Sequence, residues 1–170
     1  MASKLRVDSI LPVDGAPTNG GGGIIQVVQT IKKDQFTTAN NTSNYTDITG
    51  LNVTITPKFN TSKILIECSI YNSNANAVNF FRVLRGSTFI EQPSGTSSSG
   101  AGYNAHGFAY FDHSFQDTTV IKILDSPATT SSTTYKVQMA VTGATGTINK
   151  FYNTSNYYGI STIQLYEVSA

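Results

Sequence analysis

The 170-residue sequence is poor in charge and has no long apolar run. Only 12% of its residues are Asp, Glu, Lys or Arg, and the formal net charge is +1. A surface that binds nucleic acid needs clustered Lys and Arg, so this composition argues against a nucleic-acid partner. Because no apolar run approaches about 18 residues, the sequence also predicts no insertion into a membrane.

Cysteine and tryptophan are also scarce. A single cysteine, Cys68, excludes an internal disulfide framework and fits a chain made in a reducing cytoplasm. The first residues lead into no apolar stretch, so we expect no secretory signal. Tryptophan is absent, but nine Tyr and nine Phe supply aromatic area for a core or an interface.

What the sequence does contain is alternation. Apolar residues recur at every second position in several segments, and no segment keeps a helical period of 3.6. Such segments are typical of strands with one face on a core and the other in water. The clearest strand candidates are residues 24–31, 51–56, 62–70 and 134–141, and weaker ones are 77–85, 105–115, 118–124 and 159–168.

Turn-forming residues separate these segments. Clusters of Gly, Ser, Asn and Pro occupy residues 40–44, 57–62, 72–76, 93–102, 126–133 and 143–146. About eight short strands at this spacing predict an all-β fold, an antiparallel β-sandwich of the jelly-roll type. Two loops, residues 92–102 and 149–158, are longer than a hairpin needs, and long loops on a rigid scaffold often carry function.

The N-terminal segment differs from the rest of the chain. Its prolines Pro12 and Pro17 prevent a continuous helix. Its apolar side chains need a partner surface, which could belong to the chain's own head, to sister chains or to another protein. These predicted docking residues are Leu5, Val7, Ile10, Leu11 and Val13.

A run of glycines follows this segment and permits almost any backbone angle. We interpret the run as a hinge formed by Gly20, Gly21, Gly22 and Gly23. The sequence therefore predicts an extended attachment arm with its hinge over residues 1–23 and a β-sandwich head over residues 24–170. The alternative is a disordered linker, although linkers are rarely so apolar.

A search for catalytic chemistry finds no candidate. His106 and His113 are seven residues apart, so on one straight strand they point to opposite faces, and no metal-ligand cluster surrounds them. Asp112, His113 and Ser114 are direct neighbours, which cannot form one hydrogen-bonded relay. Cys68 lies on an apolar strand face and is expected to be a buried small hydrophobe. We expect no catalytic residue, no metal and no cofactor.

The loop at residues 149–158 is dense in aromatic and amide side chains. These suit stacking on sugars or packing against protein. The candidate receptor-binding residues are Phe151, Tyr152, Asn153, Tyr157 and Tyr158. The alternative is that these rings pack a trimer interface or cap the core.

Six segments together resemble a known family. They are residues 4–10, 20–29, 56–66, 82–87, 124–131 and 159–168. In these segments the sequence resembles small virion structural proteins of marine tailed phages, cyanophages especially, which are often described as tail-fibre-like. The family has no catalytic motif, so the resemblance carries over no active-site residues.

The resemblance implies a homotrimeric β-sandwich head that is docked on a virion by its N-terminal arm. A trimer that buries aromatic faces would explain the strand candidate at 105–115, with Phe108 and Tyr110 on one face and Phe111 and Phe115 on the other. The resemblance does not separate a tail fibre from a fibre adaptor or a head decoration.

We therefore expect a non-enzymatic phage virion structural protein, a tail fibre, spike or surface fibre. It would be made in the host cytoplasm and lie on the virion surface. Its expected partners are itself, as a homotrimer, and other virion proteins that bind its arm. The alternatives are a head that binds host surface glycan, a capsid decoration protein, and a small depolymerase with its site between protomers.

Overall fold

The computed structural model of the chain describes residues 23–39, 44–94, 104–111, 115–151 and 156–169. Within these ranges the chain forms eleven strands and no helix, so no described helix is long and apolar enough to cross a membrane. The strands are β1 (Ile24–Lys32), β2 (Phe36–Thr38), β3 (Thr46–Ile55), β4 (Lys63–Asn74), β5 (Ala77–Arg85), β6 (Thr88–Phe89), β7 (Gly107–Phe111), β8 (Phe115–Asp125), β9 (Thr133–Thr142), β10 (Gly146–Ile148) and β11 (Ser161–Val168).

Several of these segments are halves of interrupted strands. β10 and β11 lie in line along one edge of β4, and β2 and β1 pair with them in the same order. In the other sheet, β6 and β7 share one edge of β5. When each interrupted pair is counted once, the eleven segments form eight strands.

The order of these eight strands is that of a jelly roll. The first sheet runs β1/β2, β11/β10, β4, β8, and the second runs β3, β9, β5, β6/β7, and all neighbouring strands are antiparallel. Two four-stranded sheets in this order form a double Greek key. The predicted all-β sandwich of jelly-roll type is confirmed.

The core lies between the two sheets and follows the predicted alternation. β4 contributes one fully buried face to it, and β9 contributes the face opposite. These eight side chains are Ile64, Ile66, Cys68, Ile70, Tyr135, Val137, Met139 and Val141, each fully shielded from solvent. Burial of one such aliphatic side chain is worth about 1.5–3 kcal/mol, so this alternation dominates the stability of the sandwich.

One predicted turn is shorter than expected, because only residues 75–76 form it. Residues 72–76 were expected to form a turn, but β4 continues through Asn74, and Asn72 and Asn74 are fully buried. Their amides form a paired network with Asn79: Asn79 Nδ2 donates to Asn72 Oδ1 at 3.0 Å, and Asn74 Nδ2 donates to Asn79 Oδ1 at 2.7 Å. Asparagine usually marks a turn, but here it fills a polar part of the core in which the amides satisfy one another.

The strand candidate at residues 105–115 is wrong, because it joins parts of two strands. β7 ends at Phe111, and Phe115 begins β8 in the other sheet. Phe111 is buried in the sandwich, whereas Phe108, Tyr110 and Phe115 are exposed. β7 therefore has Phe108 and Tyr110 on one face and Phe111 on the other, as predicted, but Phe115 belongs to a different strand.

The two ends of the sandwich carry different connections. At the end where β1 begins, the register pairs Ile24 with Val168, and the connections 57–62, 86–87 and 126–132 lie beside them. The turns 75–76 and 143–145 lie at the opposite end. The N-terminal residues therefore join the sandwich at one defined end.

A buried polar cluster lies near the end where β1 begins. Arg85 Nη1 donates to both carboxylate oxygens of Asp125, at 2.9 and 2.8 Å, and the Tyr135 hydroxyl donates to Asp125 Oδ2 at 2.6 Å. Burial raises the pKa of Tyr135, and the adjoining carboxylate raises it further, so the phenol remains a donor. The cluster joins β5, β8 and β9 across the two sheets.

Replacing Tyr135 by phenylalanine tests the value of this hydroxyl. Tyr135→Phe keeps the ring but removes one donor to a buried carboxylate, so we expect a loss of about 1–3 kcal/mol in the free energy of unfolding. Urea unfolding measures the loss. The control is Tyr166→Phe, whose half-exposed hydroxyl donates to Gln164 at 3.0 Å, and which should change stability by less than about 0.5 kcal/mol. Equal effects in the two variants would contradict a structural role for the buried hydroxyl.

Candidate functional site

The two long predicted loops are excursions from the middle of interrupted strands. One leaves the sheet after β6 and returns at His106 before β7, and the other leaves at Asn149 after β10 and returns before β11. The structure describes residues 90–94 and 104–106 of the first excursion and residues 149–151 and 156–160 of the second. Both halves of each interrupted strand pair with the same neighbour, which is β4 for β10 and β11 and β5 for β6 and β7. Each excursion therefore lengthens a loop without changing the order of strands.

Asn149 holds the break between β10 and β11. It is fully buried and has a left-handed backbone, with φ of 62°, which asparagine tolerates better than most residues. Its Nδ2 donates to the carbonyl oxygens of Lys32 and Asp34 at 2.8 and 3.0 Å, and its Oδ1 accepts from Ser161 Oγ at 2.6 Å. Its own N–H donates to the Tyr71 carbonyl at 3.0 Å. The side chain and the backbone N–H of this one residue thus join β1, β11 and β4 where the strand pairing stops.

The second excursion carries three of the five predicted receptor residues in described positions. Tyr157 and Tyr158 are exposed, and the rings of Phe151 and Tyr157 meet edge to face at 6.0 Å. The Phe151 N–H also donates to the Tyr157 carbonyl at 3.0 Å. Tyr152 and Asn153 lie outside the described residues. The receptor role of these five residues stays a prediction.

The predicted docking residues also fall outside the described ranges. This holds for Leu5, Val7, Ile10, Leu11 and Val13, and for Gly20, Gly21 and Gly22 of the hinge. Gly23 is described and exposed, and its carbonyl accepts from the Ser169 N–H at 2.9 Å. The attachment arm, its hinge and the division at residue 23 stay predictions.

His106 fills the break between β6 and β7. The Val83 N–H donates to His106 Nδ1 at 2.9 Å, so the ring proton is on Nε2, which contacts the Ile90 carbonyl at 2.8 Å. The imidazole thus accepts the β5 hydrogen bond that a continuous neighbouring strand would have accepted. Burial lowers the pKa of His106, which favours this neutral tautomer.

The outer face of the second sheet bears an aromatic patch. Val78 lies opposite Tyr110, and Phe80 lies opposite Phe108, at neighbouring positions of β5 and β7. Phe108 and Tyr110 are 66% and 64% exposed, although both are on a regular strand. The rings of Phe80 and Phe108 are 6.1 Å apart. Together with Arg82, the next outward residue of β5, these four residues are called the Tyr110 surface.

Arg82 is held in place from three sides. Its guanidinium lies 4.0 Å from the centre of the Tyr45 ring and 5.3 Å from that of Phe89, and each ring attracts the cation. Its Nε donates to Gln138 Oε1 at 2.8 Å. Since all three contacts restrain the same group, the side chain is oriented in advance of any ligand.

The polar contacts continue across β9 to β3. Gln138 Nε2 donates to Asp47 Oδ1 at 2.6 Å, and Lys136 Nζ donates to Asp47 Oδ2 at 2.8 Å. The hydrogen bond from Lys136 is the main cause that lowers the pKa of Asp47, which therefore stays ionised. Asp47 also attracts Arg82, so two cations share one carboxylate and the group keeps one net positive charge.

Sequence reasoning did not find this surface. It assigned Phe108 and Tyr110 to a trimer interface and placed receptor binding in the loops. Residues 78, 80 and 82 alternate on one face, as do 108 and 110, but only the register of β5 with β7 and β9 brings Arg82 and Gln138 beside the rings. The alternation within each strand can be seen in the sequence and indicates which side chains share a face. The pairing of the strands cannot be seen there.

The remaining candidates for chemistry have structural places. Cys68 is fully buried, as predicted, and desolvation raises its pKa to about 12, so the thiol stays protonated. In the part of the chain that the structure describes, no three His, Cys, Asp or Glu residues are grouped as a metal site. Asp112, His113 and Ser114 lie outside that part.

Comparison with known proteins gives structural neighbours only. Neither a protein-family model nor a curated protein matches the sequence. A structure of infectious bursal disease virus Gx strain has a TM-score of 0.44 and 13% identity over 96% of this chain and 43% of that one. The Gt strain gives 0.44 and 12% over 100% and 42%, and a VP2 subviral particle of that virus gives 0.39 and 12% over 85% and 38%. The chain spans less than half the length of these chains.

Replacing Asn149 tests whether it closes the break in the first sheet. Asn149→Ala leaves two carbonyls and one hydroxyl without their buried partner, so we expect a loss of about 2–4 kcal/mol in unfolding free energy. Amide exchange at Phe151 and Gly159 should also quicken. The control is Asn52→Ala at an exposed position of β3, and a loss no larger than that of this control would contradict the role of Asn149.

Acidification tests the tautomer of His106. Because the folded state lowers the His106 pKa, the stability that this residue contributes is complete above about pH 6.5 and is lost as pH falls through the folded pKa. We expect NMR titration to give a His106 pKa below about 6.5. Between pH 7 and 5 the urea midpoint should fall more in His113→Gln, which keeps His106, than in a variant that also carries His106→Gln. An unshifted pKa would refute the assignment.

Proposed function

We propose that this chain is a non-enzymatic virion structural protein. It is made in the host cytoplasm, attaches to the particle through residues 1–23, and exposes its β-sandwich at the virion surface. The observation that carries the proposal is the sequence resemblance over six segments, which lie in the arm and in both sheets of the head. The jelly-roll topology supports it at the level of fold, because capsid proteins of many viruses use such domains.

The layout of the sandwich supports attachment at one end and exposure at the other. β1 begins beside the connections 57–62 and 126–132, so the arm would join the head there. β5 spans nine residues, about 27 Å, and ends at that same end with Arg85, so Val78 and Phe80, near its start, lie near the opposite end. A particle bound through the arm would leave the Tyr110 surface accessible.

The buried carboxylates support a structural role over a catalytic one. Asp125 is occupied by Arg85 and Tyr135. Glu167 is fully buried, and its Oε1 accepts from the backbone N–H groups of Lys58 and Phe59 at 2.7 and 3.4 Å. Each of these acids fixes a connection or joins strands, and both are shielded from solvent.

Within the virion we propose a tail fibre, spike or surface fibre that acts as a homotrimer. Capsid decoration is the second candidate, since a β-sandwich with only 12% charged residues also suits packing on a shell. Imaging of particles that carry a tag at the C-terminus separates the two. Label on the tail supports the fibre, and label spread over the head supports decoration.

Deletion of the arm tests attachment directly. Chains that lack residues 1–22 keep the Gly23 carbonyl that accepts from the Ser169 N–H, so they should fold with an unchanged unfolding midpoint but should be absent from purified particles. A full-length control with Leu5→Ser, Val7→Ser and Ile10→Ser keeps the length and the hinge, and we expect it to be lost from particles as well. Normal incorporation of the truncated chain would refute the attachment role. Incorporation of the triple variant alone would show that Leu5, Val7 and Ile10 are not the residues that attach the arm.

A further inference from the structure

The Tyr110 surface exposes two aromatic rings where a strand offers no structural need for them. The β7 side chains on the opposite face, such as Phe111, fill the core, but Phe108 and Tyr110 leave about two thirds of their surfaces in water. Along one strand they are two residues apart, which places them about 7 Å from each other. Two flat rings at this spacing match the apolar faces of one or two pyranose rings, whose C–H groups are attracted to the negative ring face.

Arg82 supplies a polar anchor beside the rings. Among the hydrogen bonds in the described part of the chain, its side chain donates only through Nε, to Gln138, which leaves both Nη groups for a ligand. A guanidinium held in this way can bind a carboxylate through two parallel hydrogen bonds. Arg82 is two residues along β5 from Phe80, which lies opposite Phe108, and four from Val78, which lies opposite Tyr110, so one oligosaccharide laid along the strand would span the rings and the guanidinium.

We propose that the Tyr110 surface binds a saccharide chain that carries carboxylate groups. The sugar rings lie on Tyr110 and Phe108, and a uronate carboxylate binds Arg82. The inference concerns the head alone and stands apart from the virion role, so the failure of either leaves the other intact. It also differs from the earlier hypothesis that the loops at 92–102 and 149–158 bind glycan.

The size of the apolar patch favours a saccharide over a second copy of the chain. The four apolar side chains occupy two positions on two neighbouring strands, an area of roughly 10 Å by 10 Å. A stable protein interface buries about 800 Å² on each partner, which is several times more. Charge also fits an acidic ligand, because Arg82 and Lys136 share the single carboxylate of Asp47 and leave one net positive charge.

Calorimetric titration of the full-length protein tests the proposal. The probes are hexasaccharides of galacturonic, glucuronic, mannuronic and guluronic acid, with a neutral glucose hexamer for comparison. We expect at least one hexauronate to bind more tightly than the neutral hexamer. Tyr110→Ala should weaken this binding by about tenfold or more, because it removes a stacking ring. Arg82→Lys keeps the charge but not the paired donors, and should reduce the preference for the acid over the neutral sugar by about tenfold.

Two controls make the result specific. Tyr158→Ala removes an equally exposed ring on the second excursion and should leave binding unchanged, and all variants should keep the unfolding midpoint of the wild type. The proposal is overturned if no hexauronate binds at millimolar concentration, or if Tyr158→Ala abolishes binding while Tyr110→Ala does not. Concentration-dependent association of the protein that Tyr110→Ala removes would also overturn it, because a second copy would then cover the surface.

Discussion

Every backbone N–H and C=O that is withdrawn from water needs a hydrogen-bond partner, and this jelly roll meets that requirement at its broken strands with side chains. Where β10 stops and β11 has not begun, the Asn149 amide binds the carbonyls that a continuous strand would have bound. Where β6 stops and β7 has not begun, the His106 imidazole accepts the Val83 N–H. These two side chains replace the missing strand hydrogen bonds, so the eight strands keep their register across both excursions.

The parts of this fold that depend on local pattern could be read from the sequence. The clearest case is the alternation of Ile64, Ile66, Cys68 and Ile70. It predicted a strand, its buried face and the burial of the Cys68 thiol. The local pattern gave a wrong prediction where the composition indicates a turn but pairing with a distant strand buries the residues. Asn72 and Asn74 are of a residue type that is common in turns. They are buried because Asn79, on the next strand, forms hydrogen bonds with both amides.

The Tyr110 surface shows the limit of sequence reasoning about function. Its rings come from β5 and β7, and its polar contacts come from β3 and β9, so the surface exists only after the second sheet is assembled. Exposed aromatics on 108 and 110 can be suspected from alternation, but the position of Arg82 over Tyr45 cannot. The loops, in contrast, were located correctly by composition, although nothing local indicated that they interrupt strands.

The contact of His106 with the Ile90 carbonyl at 2.8 Å has a consequence for how such a chain can change over generations. The first excursion begins at Ile90 and ends at His106, and this contact holds the two ends together independently of the residues between them. Closing a loop on fixed ends costs only about 0.6 kcal/mol for each doubling of its length. New surface can therefore be inserted between these two residues at little expense in stability, which makes this position a natural site for diversification and for the display of foreign peptides.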